Sequence, residues 1–300
     1  MMRTYTNSLI AFAALLAGSS LAHASEDRID QKLDADPHGV VEVSNIAGVV
    51  DVTGWDQSQV TVNGEIPNGV DGVEVKSERG HIRITVRFPS FSFSSRGVDL
   101  VIKVPRTSEV DVTTVSADIN SHGITGQQRL KAVSGSIRAD IAQSDVEAKT
   151  VSGDVTLHGT GKPVGLHVGT ISGSIHVDHA AGDVEASTTS GEIKMSLDPA
   201  RSIRMHTVSG DVSFHGKLTK DADVDAQTVS GELRMHADAE NGFEYDVTTF
   251  SGDIGNCFNA QSEKTSRYGP GERLTGSLGN GSAHVRLKTM NGDIELCNRQ

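Results

Sequence analysis

An all-β fold, a single-stranded parallel β-solenoid (β-helix), is the architecture this sequence predicts, and three observations predict it. A unit of the form Thr-apolar-Ser-Gly-(Asp/Glu/Ser)-apolar recurs nine times. Its copies are 18–21 residues apart, with one gap of 40. Residues aligned on the central Ser fall into columns of one chemical type. Repetition at such a short period marks stacked supersecondary units, each of which can bury its apolar face only against its neighbours.

The copies include Thr150-Val151-Ser152-Gly153-Asp154-Val155, Thr170-Ile171-Ser172-Gly173-Ser174-Ile175 and Thr207-Val208-Ser209-Gly210-Asp211-Val212. Two more are centred on Ser230 and Ser251, weaker ones on Ser116, Ser134 and Ser190, and the last replaces Ser with Asn291. Three residues after the centre runs the column Ile119, Ile137, Val155, Ile175, Ile193, Val212, Leu233, Ile254 and Ile294. Five after it stand mainly Leu157, Val177, Met195, Phe214, Met235 and Leu296, with charged residues such as Arg138, Lys194 and Arg234 between. This alternation is the period of a half-buried strand.

Upstream, positions minus six and minus four are apolar, as in Val146/Ala148, Leu166/Val168 and Ile203/Met205. Position minus one is apolar as well (Val151, Ile171, Val208, Val229) and is expected to face inward. Inward residues at both even and odd offsets require a corner, and the Ser-Gly pair supplies it. Gly tolerates positive φ, and Ser can bond local backbone groups. Coils this short leave no room for a crossover helix. At ~4.8 Å per coil, nine coils make a rod about 40 Å long.

The rest of the chain divides around this domain, which is expected over residues 109–300. Residues 1–24 read as a signal peptide. Arg3 is the basic start, residues 9–16 are an apolar run too short to span a bilayer, and Ala22-His23-Ala24 is a cleavage signature. Cleavage after Ala24 takes the net charge from −12 to −13, because it removes Arg3 and no acid. Residues 25–39 are polar and acidic and are expected to form a disordered leader. Residues 40–108, with strand-like segments at 49–55, 81–87 and 98–104, are expected to be an irregular N-terminal β region or cap. An acidic surface disfavours nucleic acid and anionic lipid. No later segment is apolar enough to cross a membrane. The expected location is periplasmic or secreted.

The segments "VSNIAGVVDVTGWD", the repeated "VSGDV/TISGSI" and the terminal "GNGSAHVRLKTMNGDIEL" resemble the bacterial domain-of-unknown-function 4097 family, also described as proposed adhesins. The resemblance spans roughly residues 40–300. It implies a β-strand-repeat fold and no established catalytic residues, and the matching motif is structural.

Four sets of side chains are candidates for chemistry. Cys257 and Cys297 share the plus-six column, so on neighbouring coils their Cα atoms would lie ~5 Å apart, within disulfide range. The 40-residue gap before Asn291 then reads as one coil carrying an excursion over residues 258–276. A single disulfide suits an exported chain with two cysteines. The same column holds His122, His158, His215 and His236. His215 and His236, on consecutive coils, are weak candidates for a shared transition-metal ion. Asp140, Asp178 and Ser196 interrupt that column, so solvated histidines are the plainer reading and no cofactor is expected. The plus-two column (Asp118, Asp154, Glu192, Asp211, Glu232, Asp253, Asp293) could offer oxygen ligands to calcium, but solvated carboxylates beside the corner explain it as well. A threonine ladder at minus two includes Thr150, Thr170, Thr207 and Thr228. It reads as hydroxyl stacking along the rod in preference to an ice-binding array.

No nucleophile elbow, phosphate loop or metalloprotease helix is present in the sequence. Aromatic residues make up only 4% of the chain, so a groove for stacking sugars is not expected. The sequence therefore points to a non-catalytic interaction or scaffold protein of the cell envelope, adhesin-like, whose partner is an unidentified protein or glycan. A β-helix enzyme acting on polysaccharide and an envelope-stress accessory protein are the alternatives.

Overall fold

The computed structural model describes residues 27–89, 97–240, 242–267, 269–280 and 282–298. The expected signal peptide lies outside the described residues. The described residues form 22 strands and no helix. Hence no helix among them is long and apolar enough to cross a membrane.

Parallel ladders join equivalent positions of successive repeats. Before the corner, Ala148 pairs with Leu130 on one side and Val168 on the other. After it, Leu157 pairs with Ala139 and with Val177. The register advances by a whole repeat each time, so like stacks on like. The plus-three column is buried except at Ile254, which is half-buried, and Ile119, Ile137, Val155, Ile193 and Leu233 are at most 1% exposed. Phe214 is the bulkiest of the enclosed side chains together with Phe243. One hydrophobic cluster runs from Ile29 to Leu296.

At the corner the structure corrects the expected orientation. Val151, Ile171, Val208 and Val229 point outward, and the threonines at minus two point inward. The parity change is real, but the last inward residue before the corner is Thr. The reason is a backbone carbonyl. Thr150 Oγ1 donates to Gly135 O at 3.0 Å, and Thr170, Thr188 and Thr228 donate likewise to Gly153, Gly173 and Gly210. A buried carbonyl needs a donor that a valine cannot provide. The threonine ladder is therefore internal, which removes any surface reading of it.

The glycine column answers to close approach. A Cβ on Gly173 would lie 2.0 Å from Gly153 O, and one on Gly210 would lie 1.9 Å from Gly191 O. Gly210 also has φ +154, whereas Gly173 lies outside the positive-φ region, so contact between coils is what the two share.

Two expectations about the ends are also corrected. The first concerns residues 25–108. Strand Val40–Trp55 is a full turn of the stack, in register with Glu109–His122 (Val43 with Val112, Val50 with Ile119). Asn45 takes the threonine position, and its amide donates to Val98 O at 2.9 Å. Beyond it lie His81–Arg87 and Asp99–Pro105, which pair in parallel with its two halves. Residues expected in a disordered leader form strand Asp27–Asp34, which pairs antiparallel with Gln59–Ile66. That strand in turn pairs antiparallel with Asp99–Pro105, and Gly72–Glu78 covers His81–Arg87 in the same sense. These antiparallel strands close an open sheet edge.

The second concerns the order of coils. The Ser230 coil does not stack on the Ser251 coil. Ala283–Asn291, followed by Ile294–Asn298, lies between them, pairing with both. The excursion, expected over 258–276, carries the short strand Glu263–Lys264 and the strand Glu272–Ser277. The latter pairs antiparallel with Phe243–Ser251 and covers the far edge. Two features of the chain explain the insertion. In chain order Asp225 would face Asp246, and the inserted coil puts Arg286 between them. The second strand of the Ser251 coil is only Ile254–Asn256, with Asn256 in a core column, so this coil suits an end and not the interior.

Candidate functional site

The outward turn of the minus-one column creates the most distinctive surface of the molecule. In stacking order it reads Ile46, Val115, Val133, Val151, Ile171, Thr189, Val208, Val229, Met290 and Phe250. Nine large hydrophobic residues here are 40 to 62% exposed, and among the described residues only Val101 is a tenth of that kind. Single exposed apolar residues are ordinary, whereas a contiguous row is not. At ~4.8 Å per layer the row is about 43 Å long.

Its two borders differ. On one side run the exposed corner serines, which bridge in parallel from Ser152 through Ser172, Ser190 and Ser209 to Ser230. Beyond them lies the acidic plus-two column. These carboxylates are partly engaged: Asp118, Asp154, Asp211 and Asp293 each accept the backbone N–H of the plus-two residue of the next coil, at 2.8–2.9 Å. These four act as staples between coils. On the other side, at minus three, stand Lys131, Lys149, His206 and Lys288.

The face before the corner bears cross-coil ion pairs. Glu42 meets Arg83 and His81, Asp183 meets Arg201, and Asp246 meets Arg273. Arg83, donating a hydrogen bond, holds the Glu42 carboxyl below its ordinary value, and Arg201 does the same for Asp183. Each such group is paired with an opposite charge across a strand, the pattern of structural ion pairs and not of a matched acid and base.

The sequence-predicted residues fall as follows. Cys257 and Cys297 are bonded to each other, with Cα atoms 4.9 Å apart, on adjacent layers. His215 and His236 are in register on neighbouring coils with ring centroids 6.5 Å apart. His122 and His158 lie elsewhere, near Asp140 and His179 respectively. The exposed apolar row was missed by sequence reasoning, which turned these side chains inward. The signal available was the uniform threonine beside them, since a polar column inside and an apolar column outside satisfy the same parity.

The geometry thus defines an all-β repeat protein whose outstanding surface is an apolar row on a rigid corner. The profile of the Toastrack DUF4097 family matches residues 41–181 and 206–297, and the chain belongs to that family. None of the curated proteins matches it. Among solved structures it is similar to a proposed adhesin from Bacteroides fragilis, at 10% identity and TM-score 0.42, covering 92% of this chain and 98% of that one. A proposed lipid-binding protein from Parabacteroides distasonis shows 9% identity and TM-score 0.37, covering 91% and 98%. A proposed adhesin from the same organism shows 12% identity and TM-score 0.28, with the same coverage.

Proposed function

We propose that this chain is a β-solenoid that works outside the cytoplasm as a non-catalytic, adhesin-like binding surface, and that the apolar corner row is where it binds. The observation carrying this reading is that, among the described residues, nine of the ten exposed large hydrophobic residues lie in that one column. Water-facing aliphatic side chains at ~4.8 Å spacing favour a protein segment over a glycan. Phe250 is the sole aromatic ring in the row, and a sugar binds through stacking and hydroxyl partners. Burying two or three such aliphatic side chains supplies several kcal/mol. The leader-like N-terminal sequence and the Cys257–Cys297 bond support placement in an oxidising compartment.

The test is capture from envelope extracts with wild type, with Val151→Asp/Val208→Asp, and with Arg204→Ala on the neighbouring face. The double variant should melt with wild type, since both positions face water, yet bind the captured protein about tenfold or more weakly. Arg204→Ala should bind as wild type does. Equal capture by all three proteins, or capture of glycan alone, would sink the proposal.

A further inference from the structure

Placing the last coil between the Ser230 and Ser251 coils assembles a column that chain order does not contain. On four successive layers stand His215, His236, Cys297 and Cys257, two imidazoles followed by two sulfurs. Glu295 joins them from the same strand as Cys297. The ligand atoms of His236, Glu295 and Cys297 all lie within 4.8 Å of one another. A second observation is independent of this spacing. The His236 side chain is 44% exposed, but its Nε2 atom is shielded from water and makes no hydrogen bond, and Glu295 Oε1 stands 3.6 Å from it. A shielded ring nitrogen that spends no hydrogen bond, held beside a carboxylate oxygen, is placed to offer a lone pair to a cation. Cys297 Sγ lies 3.7 Å from the same carboxylate oxygen.

We infer that this cluster is a thiol-gated metal site, which takes a thiophilic divalent cation of the zinc class when the Cys257–Cys297 bond is open. Imidazole, thiolate and carboxylate are the ligands zinc accepts, and four-coordinate Cys/His sets are its structural sites. With the disulfide closed, both sulfurs are spent on each other, and His236 and Glu295 remain as a poor pair. The opening step requires a dithiol. Its first thiolate attacks one sulfur of the bridge to form a mixed disulfide, and its second displaces that sulfur. The dithiol leaves as a cyclic disulfide while Cys257 and Cys297 gain two electrons and two protons. Metal binding then releases those two protons, because the thiolates are the ligands. A disulfide oxidant reverses the sequence by thiol–disulfide exchange: it takes up the two electrons and leaves as a dithiol, the Cys257–Cys297 bond re-forms, and the ion is expelled.

The site rests on residues outside the apolar row, so it stands or falls separately from the binding surface. The experiment uses the whole mature chain, reduced with dithiothreitol, desalted anaerobically and titrated with Co²⁺ as the spectroscopic probe. One equivalent should bind with sulfur-to-cobalt charge-transfer absorption, and Zn²⁺ should displace it. The oxidised chain should show no such band. His236→Ala and Glu295→Gln, which leave the disulfide intact, should melt with wild type when oxidised and bind Co²⁺ about tenfold or more weakly when reduced. Absence of the band in reduced wild type, loss of the fold on reduction, or equal affinity in the His236→Ala chain would each overturn the inference.

Discussion

The carbonyls of Gly153, Gly173 and Gly210 each meet two groups of the next coil: a threonine hydroxyl that donates to it and a glycine whose Cα lies against it. Gly210 O receives Thr228 Oγ1 at 3.2 Å, and a Cβ on Gly231 would lie 2.0 Å from the same oxygen. Thr207 breaks the pattern, for its Oγ1 is buried without a partner. This difference makes a paired prediction. Thr228→Val keeps the shape and removes the donor, and should cost about 1 kcal/mol or more. Thr207→Val removes a hydroxyl that bonds to nothing and should be neutral or stabilising. Urea unfolding of the two variants checks this, and equal losses would contradict it. Gly173→Ala should cost more than either, about 3 kcal/mol, because its methyl would meet backbone that cannot yield. At this scale the inward columns at plus three and plus five were legible, since a period of two leaves one choice of face. The minus-one column was not. Valine and threonine are both β-branched, and which one enters depends on a carbonyl supplied by the neighbouring coil.

Strands at the two ends are held by different means from those in the middle. The interior strands repeat one ladder, so any coil predicts the next, and this regularity was readable from nine copies of one motif. Neither end could be read this way. The partner of Phe243–Ser251 is Ala283–Asn291, 40 residues on, and nothing local to either strand specifies the pairing. The trace of it lies in the columns: Asp225 and Asp246 repel if adjacent, and Asn256 fits poorly in an interior core column. The cap strand Glu272–Ser277 is held by a carboxylate network. Glu272, 12% exposed, accepts from Lys264 Nζ at 2.7 Å, Ser262 Oγ at 2.9 Å and Ile254 N at 3.2 Å. The Lys264 hydrogen bond is the largest cause holding its carboxyl below the ordinary value of 4.5, with Ser262 and the Ile254 N–H adding to it against the opposing effect of burial. A carboxyl depressed in the folded state stabilises fully above its unfolded value, and this contribution is lost as pH falls through the lower folded value. The stability gap between wild type and Glu272→Gln should therefore be constant near neutrality and shrink once pH drops below 4.5. Urea midpoints measured across that range decide it, and a gap unchanged at the acid end would exclude the network as its source.

Two strands lie inside the stack at places their position in the chain does not suggest. Val40–Trp55 lies between His81–Arg87/Asp99–Pro105 and Glu109–His122, and Ala283–Asn291 lies between the Ser230 and Ser251 coils. In a repeat protein stacked in chain order, the end repeats contact one neighbour and open first. Here the layers 40–55 and 283–298 cannot peel away without parting two ladders, and the Cys257–Cys297 bond ties the inserted coil to the one outside it. The layers that should open first are instead the antiparallel covers, Gly72–Glu78 at one end and Glu263–Lys264 with Glu272–Ser277 at the other. Native-state hydrogen exchange of the oxidised protein should find the amides of Ala283–Asn291 and Val40–Trp55 as protected as those of Ile193–His206 near the middle. The cover strands should exchange earlier by several kcal/mol in opening free energy. Exchange that instead began at residues 283–298 and moved inward coil by coil would mean that the inserted layer adds no cooperativity. The same topology bears on how the stack forms. The Ser251 coil has no parallel neighbour until residues 283–298 arrive, so the far end closes last and with the longest loop to order.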